Sequence, residues 1–226
     1  MGSVSRAPHR TRAVLSRPER LPNALTVLCD VQYITRRSIM ASWSHTWGTT
    51  AAERASRFPC DDLIARPDAS YYRGVTIHAP PAVTFRWLCQ LRVAPYSYDW
   101  IDNRGRRSPQ HLTPGLEHLQ LGQDVMTIFE LVDFAPDRHL TMRIKRTGTA
   151  QGAFGDIAVS YLLVADGARA CRLLVKLVAR YPRGLRGHIM RRLLPWGDLV
   201  MMRRQLLNLK RLAERTTADA ARRLNG

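Results

Sequence analysis

The sequence predicts an α+β domain in which a curved antiparallel sheet wraps one long C-terminal helix and encloses an apolar cavity. Three observations carry this. Strand-like alternation recurs four times between residues 125 and 180, with turn residues separating the segments. A strand and an amphipathic helix precede that run, and a long helical stripe with basic flanks follows it. The 226 residues, 45% hydrophobic and 23% charged, suit one domain with an appendage and bury enough surface to hold a core without metal or disulfide.

Residues 1–42 scatter Arg among Pro8, Pro18 and Pro22 without a sustained period, which predicts a basic, weakly ordered extension. Met40 opens a stretch of different texture and is a candidate natural start. The domain proper is expected over residues 43–215. Thr50-Ala51-Ala52-Glu53 matches a capping box, so a short helix is expected near 50–57, stopped by Pro59. Tyr71 to Ala79 alternates Val75 and Ile77 with Thr76 and His78 and ends at Pro80-Pro81, which reads as a strand. Ala82 to Leu91 places Val83, Trp87 and Leu91 four residues apart, an amphipathic helix opened by proline. Pro95 to Gly122 reads as an irregular insert.

The four alternating segments are Val125–Val132, His139–Lys145, Ile157–Val164 and Ala170–Arg180. Pro136-Asp137 and Asp166-Gly167 supply turn chemistry between them, so a hairpin-linked meander is expected. Gly148, Gly152 and Gly155 fall in the remaining connection and lack the spacing and Lys of a phosphate loop. After Pro182 a helical region runs from Leu185 to about Arg215. An interruption is expected at Pro195-Trp196-Gly197, with Asp198 as N-cap of the second half. In that half Leu199, Met202, Leu206, Leu209 and Ala213 form one apolar stripe, and residues 216–226 are expected to fray.

Strand, helix, insert, antiparallel meander and long helix form a helix-grip plan. The wording of the sequence adds a resemblance. Tyr71 to Pro81 (YYRGVTIHAPP), Phe85-Arg86-Trp87-Leu88 and Tyr96-Ser97-Tyr98-Asp99-Trp100 resemble the START-like SRPBCC superfamily. More narrowly they resemble an actinobacterial group labelled polyketide cyclase/dehydrase-like. Its Trp-Gly-Ala/Thr-Thr turn and Pro-Trp-Gly-Asp turn have counterparts at Trp47–Thr50 and Pro195–Asp198. The resemblance covers roughly residues 43–215 and implies the helix-grip fold and a cavity for sterols, lipids, hormones or polyketides, without a shared catalytic motif.

That expectation defines candidate residues. Val125, Phe129, Met142, Tyr161, Val175, Leu199, Met202 and Leu206 are expected to line the cavity, with Tyr98 and Trp100 near its opening. Affinity would come from apolar burial, at roughly 25 cal/mol per Å². Asp99, Asp102 and Glu130 are candidate acids or bases, with no residue assigned to catalysis outright. Glu130 shares parity with Met126, Ile128 and Val132 and so is expected among apolar groups, the alternative being an ion pair with Arg143 or Lys145. For Tyr98, Trp100 and Asp102 the alternative is packing and turn capping. Arg172, Lys176 and Arg180, at period two, are expected on a solvated convex face.

The net charge of +17 invites nucleic acid or an anionic membrane as partner. Its distribution redirects that reading: +5 lies in residues 1–40, +3 in 41–179 and +9 in 180–226, and only Lys145, Lys176 and Lys210 are lysines. With no aromatic platform among the C-terminal Arg residues and no helix-turn-helix, nucleic acid is not expected as the main partner. Peripheral contact of the last helix with an anionic membrane stays open, as does RNA adaptation through the same segment. Cys29, Cys60, Cys89 and Cys171 form no CxxC pair, and the seven His residues no HxxxH pair, so neither metal nor cofactor is expected. No apolar run approaches the roughly 20 residues of a membrane span, and a cytoplasmic protein is expected. The main expectation is therefore binding of a hydrophobic small molecule or lipid, with a cyclase- or dehydratase-type enzyme as first alternative.

Overall fold

The computed structural model describes residues 43–102, 105–146 and 149–224. The N-terminal extension, Met40, Cys29 and the Asp102 side chain lie outside the described residues. Among the described residues, a helical segment at 43–46 is followed by α1 (Ala51–Ala55), β1 (Ala69–Ile77), α2 (Pro81–Cys89), α3 (Asp99–Asp102), β2 (Asp124–Val125), β3 (Phe129–Ala135), β4 (His139–Ile144), α4 (Thr149–Phe154), β5 (Asp156–Ala165), β6 (Cys171–Arg180) and α5 (Leu185–Leu224), with short 3₁₀ turns at Pro59–Asp62 and Gln90–Arg92. The strands form one antiparallel sheet in the order β1-β6-β5-β4-β3-β2. The result is a helix-grip fold.

Alternation decides which face each strand residue takes. Tyr71, Val75 and Ile77 of β1, Leu140, Met142 and Ile144 of β4, Val159 and Tyr161 of β5, and Leu173 and Val175 of β6 are buried on the inner face. Met202, Leu206, Leu209, Leu212 and Ala213 of α5 complete the same core. Each such aliphatic or aromatic side chain contributes about 1.5–3 kcal/mol of burial.

The outer face is covered over part of its area. Phe58, Cys60 and Ile64, from the segment between α1 and β1, pack on Ala158, Leu174 and Val178. Polar residues beneath that cover are satisfied: the Cys60 amide donates to Ser160 Oγ at 2.9 Å, and Ser160 and Thr141 hydroxyls bond at 2.9 Å. The strip expected to face water is therefore partly claimed. Arg172 pairs with Glu53 of α1 at 2.6 Å and Lys176 with Asp61 at 2.5 Å, while Arg180 is exposed.

Three boundaries differ from the sequence expectation. Val125–Val132 is not one strand: Met126 and Thr127 take φ of 47° and 66°, which folds the chain back and makes a β2–β3 hairpin. The β4–β5 connection contains the helix α4. Helix α5 is continuous over 40 residues, through Pro195 and on to Leu224. Proline removes one intrahelical hydrogen bond, a local loss that the packing of Leu199, Met202 and Leu206 on the sheet outweighs. Asp198 therefore sits inside the helix and caps nothing.

The Trp47–Thr50 turn clamps α1 to the sheet. The Gly74 amide of β1 donates to Trp47 O at 3.1 Å, Arg172 donates to the Gly48 carbonyl, and Thr50 and Glu53 complete the expected capping box. Gly48 has φ +74°, and a Cβ there would lie 2.2 Å from the Gly74 carbonyl oxygen. The substitution Gly48→Ala should lower unfolding free energy by more than about 2 kcal/mol, through left-handed strain plus the clash. Urea unfolding checks this; an unchanged midpoint would show that the turn contributes nothing.

Candidate functional site

An apolar groove of about 350 Å³ lies between α5 and one end of the sheet. The sheet side supplies Ile128, Phe129, Ile144, Ile157 and Leu177, and α4 supplies Phe154. The first half of α5 supplies Met190, Leu193, Leu194, Gly197 and Met201. Gly197 has open space around a notional Cβ, so the absence of a side chain there leaves part of the groove empty. The only ionisable residue on the lining is Asp198.

Asp198 is held by an arginine from the sheet. Arg73 of β1 shares the inward parity of Val75 and Ile77, so its guanidinium enters the core, where its side chain is 1% exposed. Its Nη2 donates to Asp198 Oδ2 at 2.6 Å and to the Ser44 carbonyl at 2.8 Å, and its Nη1 donates to the Tyr72 carbonyl at 2.9 Å. Arg73 Nε has no hydrogen-bond partner among the described residues. Burial pushes the Asp198 carboxyl up to about 6 even though Arg73 pulls it down, and the same burial lowers Arg73.

Further polar groups surround the pair. Tyr71 and Tyr181 share a hydroxyl–hydroxyl bond, and the His45 ring packs on Tyr71 with centroids 4.9 Å apart. Tyr161 donates to Gln205 Oε1 at 2.6 Å, and Gln205 Nε2 donates to the Pro95 carbonyl at 2.6 Å. Burial raises the Tyr71 and Tyr161 phenols well above their ordinary range, so both remain neutral donors. No group of His, Cys, Asp and Glu among the described residues is arranged to hold a metal ion.

The expected site residues are distributed differently from the sequence reading. Phe129 lines the groove. Val125, Met142, Tyr161, Val175, Leu199, Met202 and Leu206 are buried and off its lining, because side chains fill the space between the middle of the sheet and α5. Tyr98 and Trp100 border a separate polar depression with Arg204 and Arg211, and Trp100 is 76% exposed. Asp99 there accepts from the Ser108 amide at 2.9 Å and hydroxyl at 2.5 Å, a turn-fixing role.

Glu130 does not share the face expected for it. The β2–β3 turn shifts parity so that Phe129 and Leu131 point inward and Glu130 outward, opposite Asp124 and Arg143. The expected ion partners are taken: Arg143 grips Asp156 at 2.5 and 3.0 Å, and Lys145 pairs with Asp124 at 2.7 Å. Neither Glu130 nor Asp99 lines the groove, and the Asp102 side chain lies outside the described residues; Asp198 does line it.

No protein-family model matches the chain, and no curated protein matches its sequence. Solved structures of similar fold exist at low identity. An aromatase/cyclase (Zhui) from a Streptomyces species is 14% identical with a TM-score of 0.44, over 66% of this chain and 95% of that one. A point mutant of norcoclaurine synthase from Thalictrum flavum, in complex with a transition-state analogue, is 8% identical with a TM-score of 0.41, over 68% and 99%. A Mesorhizobium loti protein is 15% identical with a TM-score of 0.42, over 66% and 98%. These are likenesses of fold.

Two outcomes follow for the ion pair. Asp198→Leu leaves a buried guanidinium unpaired and should cost about 3–5 kcal/mol, whereas Arg73→Met combined with Asp198→Leu should cost far less than the sum of the single changes. Urea unfolding of the four proteins checks this, and additive losses would deny the coupling. The native state also holds the Asp198 proton more tightly than the unfolded chain, whose carboxyl titrates near 3.8. Stability contributed by this group therefore falls as pH rises from about 4 to about 6 and is level above that. The difference in stability between wild type and the double variant should follow that slope; a difference independent of pH would contradict it.

Proposed function

We propose that this protein binds a hydrophobic small molecule or lipid acyl segment in the groove between α5 and the β2–β5 end of the sheet. The observation that carries this is the groove's composition: eleven apolar or glycine residues and a single carboxyl, Asp198, in about 350 Å³. A site of that size and character draws affinity from apolar burial and orientation from one polar group. Asp198 lines the groove and receives Arg73, so a hydroxyl of the bound molecule has a polar acceptor where its apolar body ends.

A second reading uses the same residue chemically. A carboxyl raised to about 6 in an apolar site exchanges a proton near neutral pH, which suits acid–base catalysis of a dehydration or cyclisation. Its support is Asp198, which lines the groove where Glu130 and Asp99 do not.

The test uses native mass spectrometry of the purified chain together with titration of the apolar dye 1-anilinonaphthalene-8-sulfonate. Wild type should carry a small apolar molecule or bind the dye with a single affinity. Gly197→Leu projects a side chain into the groove from a helical position, gaining about 1 kcal/mol of helix propensity. It should therefore stay folded and lose binding at least tenfold. Equal binding by Gly197→Leu would place the ligand elsewhere. Timed loss of one water from the bound molecule, absent in Asp198→Asn, would support the catalytic reading.

A further inference from the structure

Helix α5 exposes apolar residues that the fold does not use. Leu185, Ile189, Leu193, Trp196 and Val200 are 76%, 43%, 60%, 43% and 51% exposed, and Leu207 continues the series at 37%. At 100° per residue these six fall within an arc of about 80° on one side of the helix, away from the sheet-facing Met202 and Leu206. Arg186 and Arg204 flank the arc on one side and Arg192 on the other, all exposed, and Arg203 sits at its margin over the Trp47 ring at 5.6 Å.

Charge decides what covers this stripe. Between residues 181 and 213 there are eight basic residues and one acid, Asp198, which is buried against Arg73. Arg183, Arg186 and Arg192 are exposed and make no ion pair among the described residues. Beyond the N-terminal end of the stripe, Arg66, Arg180, Arg183 and Arg191 border a cleft whose lining has one carboxylate, Asp68. A second copy of this helix would set arginines against arginines with no acid to answer them. A lipid surface with anionic headgroups answers both features, taking the apolar arc into the headgroup–acyl boundary and the arginines onto phosphates, with Trp196 as an interfacial anchor.

We infer that the first half of α5 is a docking surface for an anionic membrane, with Leu185, Ile189, Leu193, Trp196 and Val200 inserted and Arg183, Arg186 and Arg192 on the headgroups. Leu193 also lines the groove, and Ile128 and Phe154 on the groove's other side are exposed, so its mouth opens beside this surface. Docking itself does not depend on what occupies the groove.

The experiment is co-sedimentation of the full chain with vesicles of phosphatidylcholine alone and of equal parts phosphatidylcholine and phosphatidylglycerol, at low and high sodium chloride. Wild type should partition to the anionic vesicles and leave them as salt rises. Replacing Arg183, Arg186 and Arg192 by Gln should weaken partitioning by roughly fivefold for each charge removed. Ile189→Ser with Trp196→Ser, both outside the groove lining and the core, should release the protein at unchanged thermal stability. Gly197→Leu should bind vesicles as wild type does, which separates this inference from the ligand reading. Absence of partitioning, equal partitioning to neutral vesicles, or a dimer in light scattering that Ile189→Ser with Trp196→Ser turns to monomer would overturn it.

Discussion

The buried contact between Arg73 and Asp198 fixes the relation of the long helix to the sheet. A guanidinium on the inner face of β1 is tolerable only with a carboxylate and carbonyls to receive it, and 2.6 Å to Asp198 with two carbonyl acceptors meets that need. The requirement sets the rotation of α5 about its axis. With Asp198 turned to Arg73, Leu199, Met202 and Leu206 fall into the core. Leu193, Leu194, Gly197 and Met201 then border the groove, and Ile189, Trp196 and Val200 face outward. Core, site and exposed stripe are three sides of one helix, oriented by one ion pair.

The same segment explains why the groove is open there and closed elsewhere. Opposite the middle of the sheet, α5 presents Met202, Leu206 and Leu209 to Tyr161, Val175 and Met142, and these side chains fill the interior. Opposite the β2–β5 end it presents Gly197. The β2–β3 hairpin, turned by left-handed Met126 and Thr127, brings Ile128 and Phe129 over as the far wall. A proline and a glycine, poor helix formers in a helix that nonetheless continues, thus fall in the part of α5 that borders the groove.

Much of the fold is legible in the sequence because alternation is strict where strands are buried on one face. The hairpins at Asp137 and Gly167, the capping box at Thr50 and the helix after Pro80-Pro81 stand where turn and cap chemistry places them. The site was less legible. Reading Val125–Val132 as one strand put Glu130 inside, since two left-handed residues shift parity and neither is a glycine. Reading Pro195 as a break made Asp198 a cap, since local propensity does not register the packing that carries a helix through proline. A usable signal was present: Arg73 lies two residues before Val75 at inward parity and demands an acid, and residues 181–213 contain one. That pairing, unlike lining residues chosen by apolar parity alone, leads to the groove.

The claim that joins these parts is that Asp198 is buried at the floor of an apolar, ligand-accepting groove. Carbon-13 NMR of its side-chain carboxyl, followed across pH with and without an apolar ligand, tests it directly. The account predicts a midpoint close to 6 that rises further when the groove is filled, as water is displaced from around the carboxyl. A midpoint near 3.8, indifferent to the ligand, would contradict it.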